Sequence, residues 1–445
     1  MLRHESRPGV LLTALPYLLA LVFGACMVIA HYPGYLNPDS IWQLHQIIRG
    51  HYFDWHSPTM TFLWSFFPQH GGFISFVNVL LWGGLALISQ QTVRRVGWPG
   101  LLVMALPFIP GLFNYLGHIH KDVLFTACML AAFGCAFQAN ASDGTSRRRW
   151  IFAALAWFLS VIAFLIRTNG ILALIPLLIY LSHRWGWRRS SLVTLATLVM
   201  LPFAQASIHR ALNVVPQHPE ASIKVYHLLA LSHFQGRNLL PGEWTEEQSR
   251  QIVQACYSPV QWDAAAYWGE CSFIFTGLED QQLWGSGELT RAWLQALVNH
   301  PFSAYSAMAA TFSLSMHAPN SFAMLYPPPR FDHIKWDYPT PLRPSTQWAQ
   351  NYIQSSISAA LSLPSLFTVL FLINGALLLG LRLGSTSLGK MSVALLASGV
   401  IYQLTFFPLN VSAEYRYFYW CGYPAYLGLL LTLFAARLPQ RPAAD

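Results

Sequence analysis

Residues 31–64 read HYPGYLNPDSIWQLHQIIRGHYFDWHSPTMTFLW, and the rest of the chain is organised around them. It follows an apolar run long enough to cross a bilayer, yet it sets Asp39, His45, Arg49, Asp54 and His56 among aromatic residues. Asn37-Pro38-Asp39-Ser40 reads as a turn that becomes a helix N-terminus, with Asp39 or Asn37 as the cap. Trp42, His45 and Arg49 then recur at helical spacing. Asp54-Trp55-His56-Ser57-Pro58 reads as a second turn feeding a second apolar helix. The expectation is two short helices at an outer membrane interface, each opened by a carboxylate.

Outward from this stretch, composition sets the class. Hydrophobic residues make up 54% of the chain and charged residues 10%, where a soluble domain carries roughly a quarter charged residues. Apolar runs recur at 10–30, 73–90, 101–116, 123–137, 151–166, 171–181, 191–208, 357–381, 393–407 and 417–436. They predict an all-α polytopic membrane protein with about ten transmembrane helices and both termini on the inner side. The first run is long and no small-residue cleavage site precedes the charged loop, so it reads as a retained span rather than a signal peptide. The formal charge of +8 does not imply a nucleic-acid partner. Fourteen of the 26 Lys and Arg fall on the inner side, and fifteen of the 18 acidic residues fall in outer loops or at their edges. The excess follows the positive-inside rule.

Three regions result: an N-terminal transmembrane module over 1–208 that includes the outer loop 31–64, an outer domain over 209–356, and a C-terminal transmembrane module over 357–445. The outer domain is more polar, rich in Trp, Pro, Gly and Gln, with helical stretches predicted over 242–256 and 289–316. Within it, 302–316 is apolar enough to lie along the membrane surface. Cys26, Cys128, Cys135 and Cys421 lie in apolar spans, whereas Cys256 and Cys271 are the two in the outer domain and a candidate disulfide pair. No Walker loop, nucleophile elbow or dinucleotide fingerprint occurs.

Four clusters of ionisable residues face the outer side: Asp39 with Asp54 and His56; His118, His120, Lys121 and Asp122; Arg167; and Glu414, Arg416, Tyr415 and Tyr417. A charge at membrane depth costs on the order of 2.5 to 3.5 kcal/mol even on the lenient scale, so its retention points to function. An outer Asp soon after the first span, followed by Asp54-Trp55-His56-x-Pro58 opening an apolar helix, resembles the GT-C superfamily of integral-membrane glycosyltransferases. More narrowly it is similar to the bacterial branch that uses polyprenyl-phosphate sugars, which includes lipopolysaccharide core transferases, the aminoarabinose transferase of lipid A and protein mannosyltransferases. That branch commonly has His-Pro-Pro where this chain has His56-Ser57-Pro58.

The resemblance implies a GT-C-like fold in a bacterial inner membrane, with 209–356 as a mainly helical periplasmic domain and the active site facing the periplasm. It implies an inverting glycosyltransferase: an acceptor hydroxyl on an envelope glycan, lipid or protein attacks the anomeric carbon of a polyprenyl-phosphate sugar and displaces the lipid phosphate. Such a site needs a carboxylate to take the proton and cations to hold the phosphate. Asp39 is the first candidate base and Asp54 the second. Lys121, Arg167, Arg416 and His56 are the candidates for the donor phosphate, and His120, Asp122, Glu414 and Tyr417 for acceptor or sugar contacts. No cofactor is implied with certainty. A divalent cation, magnesium or manganese, stays open, because some members of the superfamily use one and others do not. Trp244, Trp262, Trp268, Trp284 and Trp336, with the segment 326–330, are candidates for a sugar-stacking groove or for a packed core. Two other classes compete: an O-antigen-type polymerase or ligase, and a lipid-linked-glycan flippase or transporter.

Overall fold

A computed structural model describes residues 9–67, 70–142, 146–318, 343–356 and 360–438. The segment 326–330 and Trp336 lie outside the described residues. In chain order the helices are α1 (Val10–His31), α2 (Pro38–Arg49), α3 (Pro58–Ser65), α4 (His70–Val96), α5 (Pro110–Tyr115), α6 (Lys121–Ala141), α7 (Arg147–Ile166), α8 (Ile171–Ser182) and α9 (Trp187–Ala211). There follow α10 (Glu220–Gln235), α11 (Glu246–Gln254), α12 (Phe273–Asp280), α13 (Gly287–Asn299), α14 (Pro301–Met316), α15 (Pro344–Ser356), α16 (Pro364–Gly380), α17 (Ser387–Leu409) and α18 (Tyr419–Arg437). Among the described residues there is no strand, only isolated bridges.

Among the described residues, seven helices are long and apolar enough to cross a membrane: Val10–His31, Gly71–Val96, Lys121–Ala141, Arg147–Ile166, Trp187–Ala211, Ser387–Leu409 and Tyr415–Arg437. This is the architecture of a multi-pass membrane protein. The other three stretches read as spans form shorter elements. Over 101–116, Pro107 and Pro110 cannot donate to a helical ladder, so a 3-10 run, Trp98–Phe108, is followed by the short α5. The run 171–181 becomes α8, 12 residues long. The run 357–381 yields α16, which starts at Pro364 and has 17 residues.

α6 is covered on all sides and forms the axis of the bundle, against α4, α7, α8 and α18. Glycines let α4 and α6 approach closely: a Cβ on Gly84 would lie 2.5 Å from the Ala131 amide nitrogen, and one on Gly134 would lie 2.7 Å from the Gly84 carbonyl. By contrast, much of α9 is bare, with Leu192, Leu195, Val199 and Phe203 exposed, as suits a helix facing lipid.

A second hydrophobic core lies outside this bundle, built on α10 to α14 around Val225, Leu228, Leu229, Ile252, Ile274 and Leu278. Trp55 and Val411, from either end of the chain, pack against it. Cys256 and Cys271 are joined by a disulfide. The stretch predicted over 289–316 divides at His300, where Pro301 starts a new helix. The stretch predicted over 242–256 narrows to α11, set by a Thr245–Gln248 capping box. α10, the centre of this core, was not anticipated from the sequence.

The short helices of the first outer loop are present, but carboxylates do not cap them. Asn37 caps α2 through a reciprocal box with Ser40, and Pro38 takes the first helical position. Ser57 caps α3, its hydroxyl accepting from the Met60 amide at 3.1 Å. Ser57 therefore supplies the helix start. Freed from capping, Asp39 turns its carboxylate elsewhere.

Candidate functional site

Two loops are laced together to bring the distant clusters into one place. The Tyr35 amide donates to the Gly117 carbonyl at 2.8 Å and the Ile119 amide to the Tyr35 carbonyl at 3.0 Å. That pairing sets the start of α2 beside the start of α6. The Ser57 hydroxyl donates to the Leu165 carbonyl at 3.0 Å, which brings the His56 turn to the end of α7 just ahead of Arg167. Opposite these, the segment before α18 is held by backbone bonds to the disulfide-closed loop: Trp262 amide to Val411 carbonyl at 2.9 Å, and Ala413 amide to Val260 carbonyl at 2.7 Å.

At this junction the charged groups form one chain. Arg167 pairs with Asp122, and the other Asp122 oxygen lies 2.7 Å from His120 Nδ1. His120 Nε2 lies 3.2 Å from Asp39 Oδ2 and 2.5 Å from Arg416 Nη1. Arg416 Nη1 in turn bonds Asp39 Oδ2 at 2.5 Å, and its Nη2 donates to Glu414 Oε1 at 3.1 Å. Glu414 also accepts from the Ser412 hydroxyl at 3.1 Å. Arg167 lies over the Phe406 and Tyr417 rings, 5.4 Å from each centroid, and Arg416 lies 5.3 Å from the Tyr417 ring.

Electrostatics assign the protons. Burial, and then the Arg416 guanidinium, push the His120 imidazole down to about 4 despite the pull of Asp39, so it is neutral near pH 7. The short approach to Asp122 places the single ring proton on Nδ1, which leaves Nε2 to accept from Arg416. The approach of the Asp122 amide to Nδ1, at 3.2 Å, is the longer contact and is then not a hydrogen bond. Burial pushes His56 down to about 3, opposed by Asp39. For Asp39, burial raises the pKa, but the paired Arg416 guanidinium outweighs it and holds the carboxyl well below the usual carboxylate range. Asp39 is therefore ionised, and its side chain remains 24% exposed.

Lys121 completes the group. Its ammonium lies within electrostatic range of Asp39, Arg167, Arg416 and Glu414, yet it makes no ion pair or side-chain hydrogen bond among the described residues. It sits at the first turn of α6, where helix amides and the macrodipole also favour an anion.

Of the residues singled out from sequence, Asp39, His56, His120, Lys121, Asp122, Arg167, Glu414, Arg416 and Tyr417 are thus gathered at one place. Asp54 is not. Its Oδ1 accepts from the Gln217 amide at 2.5 Å and, with the Val215 amide to Tyr52 carbonyl bond of 2.9 Å, ties the first loop to the chain after α9. No group of three or more His, Cys, Asp or Glu able to hold a metal ion occurs among the described residues.

Sequence reading missed Asp263, which lies within electrostatic range of Glu414, Asp39 and Arg416. Burial, then Glu414, raise its pKa. A lone loop carboxylate gives no signal by itself. Behind the charged chain, Tyr115, His118 and Tyr415 stack with ring centroids 5.1 to 5.5 Å apart. Tyr115 Oη, His118 Nε2 and Tyr415 Oη are buried without a protein partner among the described residues.

Compared with protein-family models, with curated proteins and with solved structures, the chain gives no match.

Proposed function

We propose that the chain is an inverting, GT-C-like membrane glycosyltransferase that moves a sugar from a polyprenyl phosphate to an acceptor at the outer face of a bacterial inner membrane. In this reading the three shorter apolar stretches complete ten crossings. The observation that supports it is the meeting of an ionised, partly exposed Asp39 with Lys121 and Arg416, residues far apart in sequence and all at helix starts or in the turns leading into them.

Lys121 and the first turn of α6 receive the donor phosphate, whose polyprenyl tail stays in the bilayer. The acceptor oxygen attacks the anomeric carbon as the bond from that carbon to the phosphate oxygen breaks. Asp39 takes the hydroxyl proton, and the lipid phosphate leaves with both electrons of the broken bond, its charge held by Lys121 and Arg416. Arg416 is shared between Asp39 and the phosphate, so donor binding draws it partly off the carboxylate and makes Asp39 a stronger base. Arg167 is already committed to Asp122 and two aromatic rings. Its part is to fix the Asp122–His120 pair, which in turn orients Arg416.

The test is incubation of the purified protein with a panel of polyprenyl-phosphate sugars and membrane acceptors, following release of polyprenyl phosphate. Asp39→Asn is expected to lower turnover by roughly 10²- to 10⁴-fold, the usual contribution of a general base. Turnover of that variant within threefold of the unaltered protein removes Asp39 from the role.

A further inference from the structure

Of the tryptophans offered from sequence as sugar-stacking groups, most are used up in packing. Trp262 and Trp284 close on Trp55, with centroids 5.7 and 6.2 Å apart, and Trp244 packs on Phe273. Trp268 is left in the open, together with Trp42 and Tyr267, which were not among those offered. Trp42, Tyr267 and Trp268 are 52%, 51% and 52% exposed, large values for rings that touch one another. Trp42 lies 6.5 Å from Tyr267, and Tyr267 lies 4.6 Å from Trp268.

This strip is anchored to the fold and lies beside the ionic chain. Tyr267 and Trp268 stand on the loop closed by the Cys256–Cys271 disulfide and zipped to residues 411–413, and Trp268 rests on the packed Trp262 at 6.1 Å. Trp42 is one helical turn along α2 from Asp39. Asp263 interacts with Trp268 and lies in range of Glu414, Asp39 and Arg416. Contiguous exposed aromatics anchored in this way mark a binding surface rather than chance exposure. Flat apolar faces beside a carboxylate acceptor match the alternating C–H faces and hydroxyl edges of a sugar, whereas Asp263 disfavours an anionic headgroup.

We propose that Trp42, Tyr267, Trp268 and Asp263 seat an uncharged glycan, which on the transferase reading above is the acceptor. The rings stack on pyranose faces, Asp263 accepts from ring hydroxyls, and the hydroxyl to be glycosylated is delivered to Asp39. Glycan is thereby selected over protein or lipid as the acceptor class.

The full chain in nanodiscs is titrated with neutral hexose oligosaccharides of two to six units while intrinsic tryptophan fluorescence is followed. A saturable change is expected, with affinity lowered at least tenfold in Trp42→Ala and in Trp268→Ala, and lowered also in Asp263→Asn. The disulfide and thermal midpoint are checked in each variant. No saturable change, or equal affinity in the three variants, overturns the proposal. So does loss of Trp268 emission in discs made with brominated lipid, which puts the strip in the bilayer interface. Binding of undecaprenyl phosphate to the same preparation separates the two readings. Oligosaccharide without lipid phosphate removes the transfer reaction and keeps the glycan seat; lipid phosphate without oligosaccharide does the reverse.

Discussion

Asp122 is the most consequential carboxylate for the integrity of the site, because it neutralises a buried arginine. Its side chain is 2% exposed and that of Arg167 is 6% exposed. Asp122→Asn keeps the shape but leaves the guanidinium with only the Phe406 and Tyr417 faces for compensation. Breaking one side of a buried pair costs about 3 to 5 kcal/mol. At roughly 2 °C per kcal/mol, the thermal midpoint in detergent falls by roughly 6 to 10 °C. Arg167→Met removes the other side and strands the carboxylate, with a loss of similar size. The double variant removes both charges together and is expected to be more stable than the sum of the singles predicts, by about 2 kcal/mol. Differential scanning fluorimetry of the four proteins reads this cycle. Losses that add to within about 0.5 kcal/mol would refute the pairing, since independent sites behave that way.

Asp54→Asn is expected to leave turnover within threefold of the unaltered protein, because Asp54 bonds a backbone amide away from the charged chain; a hundredfold loss would return it to candidacy as the base. His56 and His118 are pushed by burial down to about 3, and His120 by burial and Arg416 to about 4, so the folded state refuses protons that the unfolded state accepts below about 6.5. Stability is therefore full above that pH and is lost as pH falls toward 4, by up to about 1.4 kcal/mol per pH unit for each histidine. Depressed Asp39 extends the loss below pH 4, and thermal midpoints that stay level from pH 7 to 4 would contradict this. Tyr115→Phe deletes a buried hydroxyl without a protein partner, so its midpoint should equal or exceed that of the unaltered protein. Cys256→Ser opens a loop of sequence separation 15 and is expected to cost about 3 kcal/mol, read as a lower midpoint that matches the unaltered protein under reductant.

Much of the architecture could be read because the bilayer imposes long apolar runs, and the starts of α2 and α3 carry residues of strong local preference in Asn37, Pro38, Ser57 and Pro58. What could not be read depended on tertiary context. α10 is buried by a core built from later residues. The site divides the same way. Charges at the ends of apolar runs are conspicuous, so Lys121, Arg167 and Arg416 stood out. Their pairings did not, since Arg416 meets Asp39 across 377 positions of sequence. Asp54 stood second to Asp39 as a candidate base, both opening turns beside aromatic residues. Only the pairing of Tyr52 and Asp54 with Val215 and Gln217 sets them apart.

On the proposed transferase reading, Lys121 and Arg416 hold a lipid phosphate beside Asp39. Phosphorus NMR of the purified chain with undecaprenyl phosphate, compared with Lys121→Ala, tests it most directly. A shifted, saturable phosphate resonance that is lost in the variant is expected. A resonance identical with and without the protein, or one indifferent to Lys121, would contradict the account.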